Sequence, residues 1–126
     1  MLGDKNVVAV LAVKDMASSR KFYEETLGLS VDMETPDGGV AYKSGDGKVF
    51  IYQSGFAGTN QATAAAWNAD DVEGVAEALK AKGVAMEHYD SIPNVEMKGD
   101  VHVMGDLKAI WFKDPSGNIL NVVNQM

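Results

Sequence analysis

The stretch "LAVKDMASSRKFYEETLGL" (residues 11–29) runs from an apolar strand into a helix and out through a glycine. The strand begins earlier: "NVVAVLAV", Asn6 to Val13, is β-rich and apolar over the length of a buried strand. Asp15 is placed to cap the helix, because a short carboxylate accepts from the free N–H groups of a first turn. Ser19, Phe22, Tyr23, Thr26 and Leu27 fall on one helical face, and Gly28 stands where a helix ends in a left-handed residue. Three short strands follow, "LSVDMETPD", "GVAYKS" and "KVFIYQS", parted by "PDGG" and "SGDG", whose glycines supply the positive φ that hairpin turns need. The first half therefore reads strand, helix, three strands.

After "FAGTNQ" (residues 56–61), a polar linker containing glycine, the same order begins again. "TAAAWNAD" is a weak strand. "DDVEGVAEALKAKG" is a clear helix: Asp70 and Glu73 have capping-box spacing, Val72, Val75, Ala76 and Leu79 form one stripe, and Gly83 ends it. "VAMEHYD", "LKAIWFK" and "NILNVVN" read as strands. The connection "SIPNVEMKGDVHVMGD" is long, its "DVHVM" alternates like a short strand, and connections of this length in small domains often touch ligands. Asp15, a helix, Gly28 and Leu29 are echoed by Asp71, a helix, Gly83 and Val84 at an offset of about 55 residues. This repeat predicts one domain over residues 1–126, with modules at about 5–55 and 62–126. Each module has one helix to cover one face of a four-stranded sheet, which leaves the other face to form a cleft.

Composition narrows the function. A chain of 126 residues suits one domain with a real core and is short for two. It has no cysteine, which excludes disulfides, thiolate catalysis and Cys-based zinc sites. The N-terminus lacks a basic n-region and "VVAVLAV" falls far short of a spanning helix, so a cytoplasmic protein with no membrane partner is expected. A formal charge of −7, a pI near 4.6 and a single arginine, Arg20, argue against nucleic acid, whose phosphates need clustered cations. Acidity serves solubility, and it also draws cationic ligands toward the surface.

The two strand-helix stretches, "LAVKDMASSRKFYEETLGL" and "WNADDVEGVAEALKAKGV", together with "FKDPSGNILNVV", resemble the vicinal oxygen chelate superfamily of glyoxalases, bleomycin-resistance proteins and extradiol dioxygenases. The resemblance runs from Asn6 to Asn124. It implies an α+β fold in which two tandem βαβββ modules form a curled eight-stranded mixed sheet around a cavity, commonly within a homodimer. In metal-dependent members the ligands come from the first strand of each half and from the last strand of each half. Carried over, those positions are Val8, Ala64, Gln53 or its neighbour Tyr52, and Asn121. Val8 and Ala64 have no donor atom and the amide of Asn121 is neutral, so the set predicts no metal and no other cofactor. The two histidines, His88 and His102, lie on none of these positions and read as surface or loop residues, with acid–base or hydrogen-bonding use as the alternative.

Alternation assigns the faces of the last two strands. Ile119, Asn121 and Val123 share one face, and Leu120 and Val122 share the helix-covered one. Ala109, Trp111 and Lys113 alternate with Ile110 and Phe112. Trp111 then offers a stacking or cation–π wall, or is simply core, while Trp67 packs beneath a helix. Phe50 and Tyr52 share a face. No nucleophile, base and orienting group can be read together, and the glycine-rich pieces lack phosphate-loop spacing. Two functions follow: metal-independent binding of a small, largely apolar, planar or cationic molecule, as in the bleomycin-resistance branch, or a lyase, oxygenase or isomerase with an atypical or absent metal site. The candidate ligand-binding residues are Trp111, Asn121, Tyr52, Gln53, Phe50, Val8 and Ala64.

Overall fold

The computed structural model describes residues 1–126. The first apolar run forms a strand only over β1 (Ala9–Val13), with Leu11 and Val13 buried and Val10 exposed; Asn6, Val7 and Val8 precede it and are exposed. Asp15 caps α1 (Met16–Lys21), its carboxylate accepting from the Ser18 N–H at 2.9 Å. The helix does not run on regularly. It widens into a π-helical turn over Phe22–Thr26, where the Leu27 N–H reaches back to the Phe22 carbonyl at 2.9 Å. Through this turn two consecutive aromatic residues, Phe22 and Tyr23, are both buried, set edge to face at 5.3 Å. Gly28 then leaves with φ +75, as a left-handed terminator should.

β2 (Ser30–Glu34), β3 (Val40–Ser44) and β4 (Gly47–Gln53) complete a four-stranded sheet in the order β1-β4-β3-β2, with β1 and β4 parallel. Leu11 pairs with Ile51, Val40 with Ile51 and Tyr42 with Val49, so one face of the sheet is continuous core. The Tyr23 ring stacks on Tyr42 at 6.1 Å, which places the helical segment on that face.

The second half builds β5 (Thr63–Asn68), α2 (Val72–Ala81), β6 (Met86–Glu87), β7 (Glu96–Lys98), β8 (Val101–Met104), β9 (Leu107–Lys113) and β10 (Ile119–Val123). The N-cap of α2 is Asp71 rather than Asp70: its carboxylate accepts from the Gly74 N–H at 2.9 Å, which moves the cap one residue along from the expected capping box. Val72, Ala76 and Leu79 are buried, and the helix lies against β8, β9 and β10. The strand order is β5-β10-β9-β8-β7, with β6 also pairing β9.

The strands form two separate sheets, of four and six strands, and not one curled eight-stranded sheet. The reason lies in the ladders. β1 pairs only with β4 and β5 pairs only with β10, so each ends its own sheet, and no ladder joins the two. The count rises from eight to ten because the long connection after β6 folds into a β7–β8 hairpin around Gly99, with φ +63.

The chain divides into two compact units, one of Met1–Asn60 with Pro115–Asn118 and the other of Gln61–Asp114 with Ile119–Met126. The turn "PSGN" thus belongs to the first unit. Ser116 Oγ accepts from the Lys14 N–H at 2.8 Å, and Asn118 Nδ2 donates to the Ala12 carbonyl at 2.7 Å. Nor is the segment at 56–61 a loose tether. Ala57 is buried, and Gly58, at φ +71, lies so near Ser116 that a Cβ there would sit 2.0 Å from the Ser116 carbonyl oxygen.

Candidate functional site

In the first unit the candidate residues lie on or beside β4. Val49 and Ile51 point into the core, so Phe50 and Tyr52 project from the opposite face, where their rings stack at 6.3 Å and 13°. Val10 and Ala41 stand opposite Phe50, and Ala12 opposite Tyr52. The Gly39 backbone lies against the Phe50 ring: a Cβ there would come within 2.4 Å of Cζ, which explains why Phe50 is half-buried while Tyr52 is exposed. With Val10 and Met33, both exposed, these rings make an apolar sheet face turned away from the helix. Gln53 is exposed at the strand end, on the parity of Val49 and Ile51, and so does not join Tyr52. Val8 is exposed just ahead of β1.

In the second unit Trp111 and Asn121 are direct cross-strand partners, while Ile110 pairs with Val122 and Phe112 with Leu120. The latter four are buried, so the tryptophan and the amide share the face away from α2, as alternation predicted. Asn121 is buried and its Nδ2 donates to the Ile110 carbonyl at 3.0 Å. Trp111 is half-buried and its Nε1 donates to Thr63 Oγ1 at 3.0 Å. A shift in register beside Ile119 sets Ala66, not Ala64, opposite Asn121, and Ala64 falls at the shift, between the paired Thr63 and Ala65. Trp67 pairs with Val122 and so falls on the helix side.

Two residues join this face that the sequence did not single out as ligand-binding. His102 pairs with Ala109 on the neighbouring strand and packs edge to face against Trp111 at 4.7 Å, while the Tyr89 ring meets Trp111 at 5.6 Å. His102 is fully buried, which corrects its reading as a surface or loop residue. Its position inside "DVHVM" was the available signal, since an alternating strand gives every second residue one face; nothing in "MEHYD" marks Tyr89. The Tyr89 N–H donates to His102 Nε2 at 2.8 Å, so that nitrogen carries the lone pair and Nδ1–H faces the Ala109 carbonyl at 3.2 Å. Burial holds the imidazole below its ordinary pKa, and His88 nearby adds to the effect. Burial likewise raises the Tyr89 phenol, with Glu87 contributing. His88 itself is exposed and bonded to Asp100 at 2.7 Å, and Lys80 takes the other Asp100 oxygen at 2.8 Å. Those two contacts, Lys80 first, hold the Asp100 carboxyl below its usual range.

The positions that correspond to a metal's ligands do not fit a divalent cation. Val8 and Ala64 bring no donor, the Asn121 amide is committed to a backbone carbonyl, and Tyr52 and Gln53 point to opposite faces of β4. Nowhere do three His, Cys, Asp or Glu side chains gather where they could hold a metal ion together. No helix is long and apolar enough to cross a membrane.

Solved structures with this fold bear different names. An antibiotic binding protein, TnmS3, from Streptomyces sp. CB03234 is 19% identical over 98% of each chain, with a TM-score of 0.72. A lactoylglutathione lyase from Agrobacterium tumefaciens is 18% identical, covers 99% of this chain and 96% of its own, and also has a TM-score of 0.72. A virulence protein from Salmonella typhimurium is 21% identical over 100% of both chains, with a TM-score of 0.68. A binder and a lyase fit equally well, so these likenesses show the fold alone. Residues 6–122 match the family model described as Glyoxalase/Bleomycin resistance protein/Dioxygenase superfamily, and the chain belongs to that superfamily.

Proposed function

We propose that this protein binds a small, largely apolar molecule with a planar or positively charged part, without a metal, in the manner of the bleomycin-resistance branch. The observation that carries the reading is Trp111: it is half-buried on the face away from the helix, with its indole N–H satisfied by Thr63, so its ring is held in place for a planar partner. The stacked Phe50 and Tyr52 offer a second aromatic surface, and the net charge of −7 favours a cation. That a similar fold is named an antibiotic binding protein agrees with this assignment. The lyase or oxygenase alternative needs a Lewis-acid centre or an acid–base pair beside the ligand, and the donor-free positions Val8 and Ala64 weigh against the first.

The acting form in this proposal is a cytoplasmic homodimer that leaves nucleic acid alone. The exposed apolar face of Val10, Met33 and Tyr52 is of the kind that a second copy covers. A sedimentation run that found only a 13.5 kDa species at high concentration would remove the dimer and leave the binding reading intact. Binding itself is tested by a thermal-shift screen of planar cationic compounds, followed by titration of Trp111→Ala. The expected loss is roughly 1–3 kcal/mol, a tenfold to hundredfold weakening. Unchanged affinity in the variant would defeat the assignment.

A further inference from the structure

The two ring hydrogen bonds of His102 suit a neutral imidazole. Nε2 accepts from the Tyr89 N–H, Nδ1–H faces the Ala109 carbonyl, and the ring is fully buried. A second proton would therefore point at an N–H donor, and the bond to Tyr89 would have to break. Tyr89 opens a segment that runs to Val95 with no strand partner, held by its own turns: Ile92 N–H to the Tyr89 carbonyl at 3.2 Å, and Val95 N–H to the Ile92 carbonyl at 3.3 Å. The same Tyr89 ring meets Trp111 edge to face at 5.6 Å. One hydrogen bond thus ties the start of a strandless segment to the strand beside the tryptophan.

We propose that His102 is a proton-operated latch on the ligand site, holding Tyr89 and Trp111 together as one aromatic corner when neutral and releasing both Tyr89 and a bound cation when protonated. The inference rests on the reading that Trp111 contacts the ligand. Two effects act in the same direction. Losing the Tyr89 bond frees one wall of the corner, and a positive imidazolium 4.7 Å from the indole opposes a cation held by that ring.

The surrounding charges leave His102 as the group that answers. From the segment of Tyr89, His88 faces it at 6.4 Å, and Asp90 lies near enough to favour the proton. Asp100, two residues before it on the chain, has its carboxylate engaged by Lys80 of α2 and by His88, while its backbone faces the ring and favours the proton. From β7 the partner is Met97, whose neighbours Glu96 and Lys98 are exposed. From β9 the facing residues are Ala109 and Trp111, while Lys113 pairs with Glu87 and Lys108 with Glu73. Burial opposes protonation in the folded state, so the closed form is complete above the ordinary imidazole range of about 6.5 and is lost as pH falls below it toward the lowered folded value.

The experiment follows the Tyr89 amide and the Trp111 indole N–H by NMR on the full chain from about pH 8 to pH 5, the range in which histidine changes charge. Binding of N-methylacridinium, a planar dye whose charge does not titrate, is measured at both ends. The wild type should show both signals moving together, and dye affinity should fall about tenfold for each pH unit below the transition. His102→Gln, which keeps an acceptor and a donor but no titration, should flatten both, while His88→Gln should flatten neither. Signals that still titrate in His102→Gln, or that stop in His88→Gln, overturn the latch, as does dye binding that is insensitive to pH in the wild type. Should His102→Gln fail to fold, the imidazole nitrogen shifts of the wild type decide: protonation that leaves the Tyr89 amide in place sinks the proposal. No dye binding at neutral pH beside an intact Tyr89 titration would bring down the ligand reading, and with it the claim about affinity.

Discussion

The two compact units share an order of elements and differ in what they do with the sheet face that their helix leaves uncovered. In the first, that face is apolar and open: Val10, Met33 and Tyr52 are exposed, and Phe50 and Tyr52 meet only by stacking. In the second, polar groups on the face are tied down: Asn121 to the Ile110 carbonyl, Trp111 to Thr63, and His102 to Tyr89 and Ala109. Away from the chain ends, every large exposed apolar residue lies in the first unit: Val7, Val8, Val10, Val31, Met33, Tyr52 and Phe56. Repeated apolar spacing is enough to make both units fold alike. A few polar residues set into that spacing leave one face apolar and open and bind the other with hydrogen bonds.

The largest effect that would break this comparison is expected at Gly58 in the first unit. An added Cβ would meet the Ser116 carbonyl at 2.0 Å while the backbone holds φ at +71. Gly58→Ala should therefore cost about 3 kcal/mol or more in urea unfolding. Gly74, in the second unit, gives the contrast. There an added Cβ meets only the Asp71 carboxylate, which can swing, and the gain in helix propensity offsets the loss, so Gly74→Ala should change stability by about 1 kcal/mol at most. Equal losses at the two glycines would contradict the packed state of the 56–61 segment.

Next comes Asn121→Asp, which puts a carboxylate where the resemblance would place a metal ligand and should still harm the fold. The buried Nδ2 donor to Ile110 disappears and a carboxylate takes its place beside a carbonyl oxygen, at a cost of about 2–4 kcal/mol. A variant of wild-type stability that gained a tight divalent metal would refute the account of this face.

A smaller effect belongs to the first unit's own polar cluster. Glu24 accepts from Arg20 at 2.8 Å and from the buried Tyr42 hydroxyl at 2.8 Å, and these two contacts, Arg20 first, lower its pKa. Its contribution is present above the ordinary carboxylate range and fades as pH falls through that range to the lowered folded value. Tyr42→Phe should cost about 1–2 kcal/mol near neutrality and less in acid, measured as the difference in unfolding free energy at the two pH values. A cost that does not change with pH would mean the hydroxyl acts by packing alone.

The smallest change should be a gain. Ser19 Oγ is fully buried on α1 with no hydrogen-bond partner, so Ser19→Ala should leave stability unchanged or raise it by about 1 kcal/mol. A clear loss would reveal a partner for the hydroxyl.

Local chemistry was the legible part of the sequence. Gly28 and Gly83 take the left-handed backbone that their positions implied, and Trp111 faces Asn121 because alternation holds along β9 and β10. Sheet membership was not legible, because it depends on which edges find partners far away in the chain, and β1 and β5 each find only one. β7 spans three residues, too few for a period of two to declare itself, and of the strand read in "VAMEHYD" only Met86 and Glu87 pair, as β6. At the candidate site, the faces of Trp111, Asn121, Phe50 and Tyr52 could be read from parity, whereas the place of Tyr89 could not. It reaches Trp111 from a strandless segment, with its N–H on His102 Nε2 and its ring against the indole.

The turn at Pro115–Asn118 reverses the order in which the chain is made and the order in which it is finished. A ribosome releases Met1–Asn60 first, yet that unit is complete only when Ser116 reaches the Lys14 N–H and Asn118 reaches the Ala12 carbonyl. Until residues 115–118 have emerged, the first unit waits with the Lys14 N–H and the Ala12 carbonyl unmatched. Such long-range closure slows folding and prolongs the time in which exposed strands can find the wrong partner. A nascent chain stalled before residue 115 would carry an unfinished first unit behind a second one still lacking its β10 strand.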